Sequence, residues 1–113
     1  MSLTWGEARQ AAARLLESAG MPAEHAEVTA DAIVRADLWD IGSHGLMRIP
    51  YYLDRLAAGG YVADATLRTV VDTGPLLVMD GGGGLGHWQL HEAAIRAVDR
   101  ARELDKELTQ TAE

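Results

Sequence analysis

The sequence predicts an α+β domain in which three helices precede a short strand pair and a long final helix. Apolar residues recur at steps of three and four up to about residue 58, which is the helical period. Between residues 67 and 79, β-branched residues mix with turn residues, as in two neighbouring strands. Helical spacing returns after a glycine run. A chain of 113 residues is long enough for one modest core, so residues 1–113 are expected to form a single domain.

The first helix is predicted from its N-terminal signal. Thr4 and Glu7 have the spacing of a capping box, in which each side chain accepts a hydrogen bond from an otherwise unpaired backbone N–H. Gly20 supplies a residue that can end the helix. One face of this helix carries the apolar residues Ala8, Ala11, Ala12, Leu15, Leu16 and Ala19, and we expect it to be buried.

The second helix is predicted from Ala23 to about Trp39. Its apolar face consists of Ala26, Ala30, Ile33 and Val34. Asp37 also falls on or near this face and is its one charged member.

The third helix is predicted from about Leu46 to Ala57. Gly42 ends the preceding helix, and Ser43 is a residue type that favours the N-cap position. Pro50 fits the first turn, where its missing N–H costs nothing. The pair Gly59-Gly60 closes the helix.

The last elements are two strands and a helix. The strands are predicted at about Leu67 to Asp72 and Leu76 to Met79, joined by a turn around Gly74. The final helix is predicted from about Trp88 to Leu108. Its expected apolar stripe is Leu90, Ala94, Val98 and Ala101.

Composition excludes several classes of function. A net charge of −7 with a single lysine argues against a nucleic-acid-binding surface, which needs clustered basic residues. No apolar run approaches the length of a membrane span, so no membrane association is expected. The absence of cysteine excludes disulfides and thiolate chemistry. Because the first residues lack a signal-peptide pattern, we expect a cytoplasmic protein.

Ser43, His44 and Arg48 are the candidate site with most chemistry. On a continuous helix, His44 and Arg48 would be four residues apart and would project from one face. A guanidinium can hold a carboxylate while an imidazole exchanges a proton with a neighbouring oxygen, which suits a hydroxy or keto acid. Ser43 would either orient the imidazole or only cap the helix. By spacing alone, a capped helix with surface His and Arg remains the commoner interpretation.

Two further motifs carry weaker predictions. The run "GGGGLG", residues 81–86, formally satisfies the dinucleotide-binding glycine pattern, but such a match is nearly automatic in so glycine-rich a stretch. His87 and His91 have a spacing that can bind a metal. No third ligand is evident nearby, and glutamine replaces the general base of the zinc-protease motif, so no metal site is predicted.

The stretch "ADLWDIGSHGLMRIPYYLDRLAAGG", residues 36–60, resembles the signature of the malate/L-lactate dehydrogenase family of NAD(P)-dependent oxidoreductases. The order of helices, "SHG", strand pair and "GLG" before another helix is also similar to the N-terminal portion of that family. The resemblance covers about residues 3–102. It implies a larger α/β fold that is not a Rossmann fold.

The resemblance implies hydride transfer between a nicotinamide cofactor, NAD or NADP, and a small 2-hydroxy or 2-keto acid. By position, His44 resembles the catalytic acid and base, Ser43 its relay partner and Arg48 the anchor of the substrate carboxylate. His44, Gly84 and Gly86 are the implied cofactor contacts. Family members work as dimers, so a homodimer is expected.

Two hypotheses remain open. Family members are much longer and place most of their cofactor contacts outside the part that this chain resembles, so the chain alone is expected to be weakly active or inactive. Residues 103–113 are then a divergent or fused helical tail. The alternative is a non-catalytic helical module that mediates dimerisation or interaction.

Overall fold

A computed structural model describes residues 2–112 of the chain. It contains the helices α1 (Trp5–Ser18), α2 (Ala23–Leu38), α3 (Ile49–Ala58) and α4 (Gly86–Ala112), the strands β1 (Arg68–Asp72) and β2 (Leu77–Asp80), and two 3-10 turns, Gly42–His44 and Leu46–Arg48. The predicted class and the order of elements are therefore confirmed. Met1 and Glu113, the ends of the predicted domain, lie outside the described residues.

The start of α1 shows the predicted capping box. Thr4 Oγ1 accepts a hydrogen bond from Glu7 N–H at 3.1 Å, and Glu7 Oε1 accepts one from Thr4 N–H at 3.2 Å. Because both side chains satisfy backbone donors that a helix start leaves unpaired, the first turn is fixed by sequence-local contacts. The chain turns at Gly20, whose φ is +102°, before α2 begins.

The hydrophobic core lies among the three N-terminal helices. Its buried members share positions on the inner faces of α1, α2 and α3, joined by Met21 and by Leu85 just before α4. They are Ala12, Ala13, Leu16, Met21, Ala26, Ala30, Ile33, Ile49, Tyr52, Leu56 and Leu85. Thr29 is fully buried among them, and its hydroxyl donates to His25 O at 2.7 Å. The buried hydroxyl of Thr29 is thus satisfied within its own helix.

Two predicted apolar faces differ from the observed ones. On α1, Ala11 and Leu15 are exposed, whereas Ala13 is buried. On α4, every member of the predicted stripe is exposed: Leu90, Ala94, Val98 and Ala101. Helical spacing identifies which residues share a face, but burial also needs a neighbouring element, and no described element covers that face of α4.

The strand pair confirms the predicted hairpin with a small shift. β1 and β2 are antiparallel, with Arg68 opposite Asp80 and Asp72 opposite Leu77, and the register is irregular between Thr69 and Val71. Every residue of β1 is exposed. This hairpin therefore contributes little apolar burial to the fold.

Polar contacts hold α4 to the hairpin. Arg96 Nη1 donates to Leu67 O at 3.0 Å, at the start of β1. The Arg100 guanidinium pairs with both carboxylate oxygens of Asp72 and also donates to Gly74 O at 2.9 Å. The molecule is elongated, with extents of 63 × 30 × 22 Å. Its radius of gyration of 17.3 Å exceeds the value of about 13 Å typical of a compact domain near this length.

Within residues 2–112, no helix combines the length and the apolar character that crossing a bilayer requires.

Candidate functional site

Ser43 and His44 lie on a 3-10 turn immediately after α2. His44 N–H donates to Ile41 O at 3.0 Å, which closes the turn. Ser43 Oγ lies 2.9 Å from His44 Nδ1. Both side chains are exposed. Ser43 makes no side-chain cap in this turn or the next one, so of the two predicted roles the structure shows contact with the imidazole and not a helix cap.

The predicted helical pairing of His44 with Arg48 is wrong in its geometry. Gly45, with φ −96° and ψ −152°, is extended and separates two short 3-10 turns. The two side chains therefore belong to successive turns and not to one helix face. The guanidinium of Arg48 instead lies over the ring of Tyr51, with Cζ 5.5 Å from the ring centroid.

A second arginine, Arg55, approaches the same aromatic ring. Its Cζ lies 5.9 Å from the Tyr51 centroid and 6.0 Å from that of Tyr61. Neither Arg48 nor Arg55 forms an ion pair with another described residue. Sequence reasoning missed Arg55, although its spacing of four from Tyr51 on a helix was a signal for their contact. Two guanidiniums beside one ring make this end of α3 attractive to anions.

His87, at the start of α4, faces the same region. Its ring packs edge-on against Tyr52, with centroids 5.5 Å apart. Nδ1 is buried and has no hydrogen-bond partner among the described residues. Burial lowers the pKa of His87, and the nearby charge of His44 lowers it further. The contact with Tyr52 therefore joins the start of α4 to α3.

The glycine run before α4 folds into a closed turn. Gly82 N–H donates to Asp80 Oδ1 at 2.9 Å, and Gly84 N–H donates to Gly81 O at 3.2 Å. Gln89 Nε2 donates to the same Gly81 carbonyl at 2.5 Å. A phosphate cradle needs several free backbone N–H groups directed at the ligand. The N–H groups of Gly82 and Gly84 are therefore used within the turn and are not available to a phosphate.

The implied cofactor contacts differ in what surrounds them. A Cβ at Gly84 would lie 2.9 Å from Ala65 Cβ, which is too close, and would also displace the end of the Gln89 side chain. Gly86 has open space where a Cβ would lie, and His44 is exposed. Cofactor contact by His44, Gly84 and Gly86 stays a prediction, and Gly84 has no N–H to spare for it.

His87 and His91 lie on consecutive turns of α4. His91 is exposed, whereas His87 is turned against Tyr52. Over residues 2–112 no cluster of three or more potential protein ligands is placed to hold a metal ion.

The segment from Ser43 to Arg55 carries groups for proton exchange and groups for anion binding. With Nδ1 engaged by Ser43, the other nitrogen of His44 is the one left for an incoming group. Arg48 and Arg55 supply positive charge one turn and three turns further along the chain. These side chains suit a small carboxylic acid whose carboxylate is bound by a guanidinium while a neighbouring oxygen exchanges a proton with an imidazole.

Comparison with known proteins assigns the chain to a family. Residues 3–105 match the malate/L-lactate dehydrogenase family model. The (2R)-3-sulfolactate dehydrogenase (NADP(+)) of Chromohalobacter salexigens is 40% identical over 98 residues, which cover 87% of this chain and 29% of that protein. Malate dehydrogenase from Pyrococcus horikoshii is 31% identical over 90 residues, covering 80% and 25%.

Solved structures show the same relation. Sulfolactate dehydrogenase from Methanocaldococcus jannaschii superposes with a TM-score of 0.87 at 31% identity, over 92% of this chain and 30% of that one. Malate dehydrogenase from Pyrococcus horikoshii gives 0.86 at 27% identity, over 91% and 30%. The chain therefore spans less than a third of these relatives and corresponds to the N-terminal portion of a larger fold. By the extent of the family match, this chain belongs to the malate/L-lactate dehydrogenase family.

Proposed function

We propose that this chain carries the substrate-handling half of an active site that interconverts a 2-hydroxy acid and its 2-keto acid. The named relatives are dehydrogenases of sulfolactate and malate, all small carboxylates. The observation that carries the proposal is the 2.9 Å contact between Ser43 Oγ and His44 Nδ1 on an exposed turn. It fixes one imidazole nitrogen and leaves the other for a substrate oxygen.

A serine hydroxyl can support both directions of the reaction. In the imidazolium form of His44, Nδ1–H donates to Ser43 Oγ, and Nε2–H can deliver its proton to the keto oxygen during reduction, which leaves the neutral imidazole. When Ser43 accepts from Nδ1–H, Nε2 is free to take the proton of the hydroxyl group during oxidation. One contact, in which Ser43 Oγ accepts from His44 Nδ1–H, thus serves both directions of the reaction.

Arg48 is the proposed anchor of the substrate carboxylate. Its guanidinium is held by the face of Tyr51 and not by an acidic side chain among the described residues, so its N–H groups remain available. A planar guanidinium binds a carboxylate through two parallel hydrogen bonds, which fixes orientation as well as position.

A nicotinamide cofactor, NAD or NADP, completes the proposed chemistry by supplying or accepting the hydride. The printed name of one relative specifies NADP(+). Because the N–H groups of Gly82 and Gly84 are used within the turn, we assign the substrate side of the reaction to the described residues. We accordingly expect the chain by itself to be weakly active or inactive. We also propose that it is cytoplasmic and that it acts as a homodimer.

A second candidate is a non-catalytic helical interaction module. The exposed apolar residues of α4 favour it, because Leu90, Ile95, Val98 and Leu108 are all exposed on one helix. Faces of this kind commonly mark contact surfaces. The two candidates share the same fold and are separated by whether small carboxylates bind.

Binding of malate and of pyruvate to the chain, followed by NMR, tests the proposal. We expect Arg48→Ala to weaken carboxylate binding about tenfold or more, since hydrogen bonds between charged groups are worth about 1.5–3 kcal/mol. His44→Gln should alter binding less and should abolish turnover in any reconstituted active complex.

Matched controls are available on α4. Arg102→Ala and His91→Gln remove the same side-chain types from exposed positions outside the site. Equal losses of carboxylate affinity in these controls would count against the proposed enzyme function. So would the absence of carboxylate binding to the unmodified chain at millimolar concentrations, and the interaction module would then be the better proposal.

A further inference from the structure

Asp37 is a carboxylate at an unfavourable place on α2. It lies in the last turn of the helix Ala23–Leu38, half-buried. The C-terminal end of a helix carries partial negative charge, so a carboxylate there opposes the helix dipole. A residue that costs stability in its own helix needs a compensating contact elsewhere.

The compensating contact is made to the turn that follows. Asp37 Oδ2 accepts a hydrogen bond from Leu46 N–H at 2.8 Å, nine residues along the chain. This N–H opens the second 3-10 turn, Leu46–Arg48, whose preceding residue Gly45 provides no side-chain cap. The carboxylate therefore acts as the cap of that turn from a distance.

Both glycines that flank Ser43 and His44 face the same carboxylate. A Cβ at Gly45 would overlap the Asp37 side chain, whereas a Cβ at Gly42 would lie 4.0 Å from Oδ1, in ordinary contact. The backbone φ of Gly45, −96°, is accessible to any residue. A side chain there would therefore push the Asp37 carboxylate out of its place.

We infer that Asp37 is the positioning residue of the site: its carboxylate, seated against Gly45 and bonded to Leu46 N–H, fixes the turn that presents Ser43, His44 and Arg48. The inference rests on the proposed function for its catalytic meaning. Its structural content does not, because it concerns the bond between Asp37 and Leu46 and the geometry of the Ser43-His44 pair. Asp37 touches no substrate in this scheme and acts through the backbone.

The test compares Asp37→Ala with Asp37→Asn in the full 113-residue chain. Asparagine keeps an oxygen that can accept from Leu46 N–H but removes the charge, whereas alanine removes the acceptor. We expect Asp37→Ala to speed hydrogen exchange of the Leu46 amide about tenfold or more. It should also shift the ¹⁵N resonances of His44 toward those of an imidazole without the Ser43 contact.

In Asp37→Asn, the exchange rate of the Leu46 amide should stay within about twofold of that in the unmodified chain. The His44 resonances should also stay close to those of the unmodified chain. Asp54→Asn, an exposed carboxylate on α3, is the matched control and should change neither. If Asp37→Ala does not fold, Gly45→Ala supplies the second variant. It keeps every charge but displaces the carboxylate, and should reproduce both changes.

Malate affinity separates this inference from the proposed function. If the unmodified chain binds malate, Asp37→Ala should weaken binding about tenfold and Asp37→Asn should recover it. If it does not bind malate, the proposed function fails, while Leu46 exchange and the His44 resonances still decide the inference. Unchanged exchange and resonances in both Asp37→Ala and Gly45→Ala would overturn it.

Discussion

The three N-terminal helices and the arm that follows them, residues 68–112, are stabilised in different ways. The helices α1 to α3 bury nearly all of the core, including the fully buried Leu16 and Ile33. The arm consists of the hairpin and α4 and contributes Leu85 to that core. It exposes eight large apolar side chains: Val70, Val71, Leu76, Val78, Leu90, Ile95, Val98 and Leu108.

The difference lies in the kind of contact that fixes each region. The helices are held by apolar packing, which is cooperative and dominates folding free energy. The arm is held by the arginines Arg96 and Arg100, by Gln89 on the glycine turn, and by a ring stack between His25 and Trp88. We infer that the secondary structure of the arm is set locally, while its apolar faces are suited to cover or be covered by further protein.

The largest expected effect separates the two regions directly. Leu16→Ala should lower the free energy of unfolding by about 2–5 kcal/mol, because it leaves a cavity at a site with 0% exposure. Leu90→Ala, at 75% exposure, should change it by less than about 0.5 kcal/mol. Urea unfolding of both variants at low protein concentration measures the contrast.

Comparable losses of unfolding free energy in Leu16→Ala and Leu90→Ala would contradict this contrast between the two regions. They would mean that Leu90 is covered in solution, and a dependence of the Leu90→Ala effect on protein concentration would identify self-association as the cause.

A smaller effect is expected at the joint between the regions, where His87 of α4 meets Tyr52 of α3. His87→Phe keeps a ring against Tyr52 and removes a buried nitrogen that has no partner among the described residues. We expect a gain of about 1 kcal/mol in the free energy of unfolding at pH 7.

The pH dependence of stability provides a second test of His87. Folding lowers the pKa of His87. Its contribution to the free energy of unfolding is therefore complete above the ordinary histidine pKa of 6.5 and is lost as the pH falls below that value. His87→Phe should therefore lose less stability than the unmodified chain between pH 7 and pH 5. His91→Gln, an exposed histidine on the same helix, should behave like the unmodified chain; a slope in His87→Phe as steep as in that control would contradict the assignment.

The smallest effect concerns the arm alone. The Arg100 guanidinium lowers the pKa of Asp72 from 3.8 to about 2, with help from the Gly74 N–H. The contribution of this pair is present above pH 3.8 and is lost as the pH falls toward 2. Arg100→Gln should raise the pKa of Asp72 toward its ordinary value, as measured by carboxyl NMR titration.

The core provides the internal reference for that titration. Asp31 on α2 also has a lowered pKa, through Arg35 and then Arg9. Arg100→Gln should leave the titration of Asp31 unchanged and the urea midpoint of the core unaltered. A shift of both carboxylates together would show that the two regions are not independent.

The elements were predictable where their signals are local. The Thr4–Glu7 capping box and the closing Gly59, with φ +81°, act within a few residues, and both predictions are confirmed. The burial of α4 was not predictable from its spacing. A periodic stripe such as Leu90 and Val98 shows which residues share a face, whereas its exposure depends on which other element packs there.

The contact between Ser43 and His44 was predictable from the sequence, whereas the backbone geometry around it was not. Ser43 and His44 do come together, as predicted for an orienting contact. The break at Gly45 was not foreseen, because it depends on Asp37, nine residues away in sequence. The sequence does show a charged residue, Asp37, on the apolar face of α2. Its role becomes clear only once the structure places Leu46 N–H beside it.

The stack of His25 on Trp88 gives the molecule an optical property. Their ring centroids are 3.7 Å apart and their planes are inclined by 17°, so the indole is in contact with an imidazole only while α4 lies against α2. The emission of an indole depends on the groups that contact its ring. Release of the arm should therefore change the emission of Trp88 against that of Trp5 and Trp39, which are exposed elsewhere. The fold thus contains its own fluorescent reporter of whether its two regions are joined.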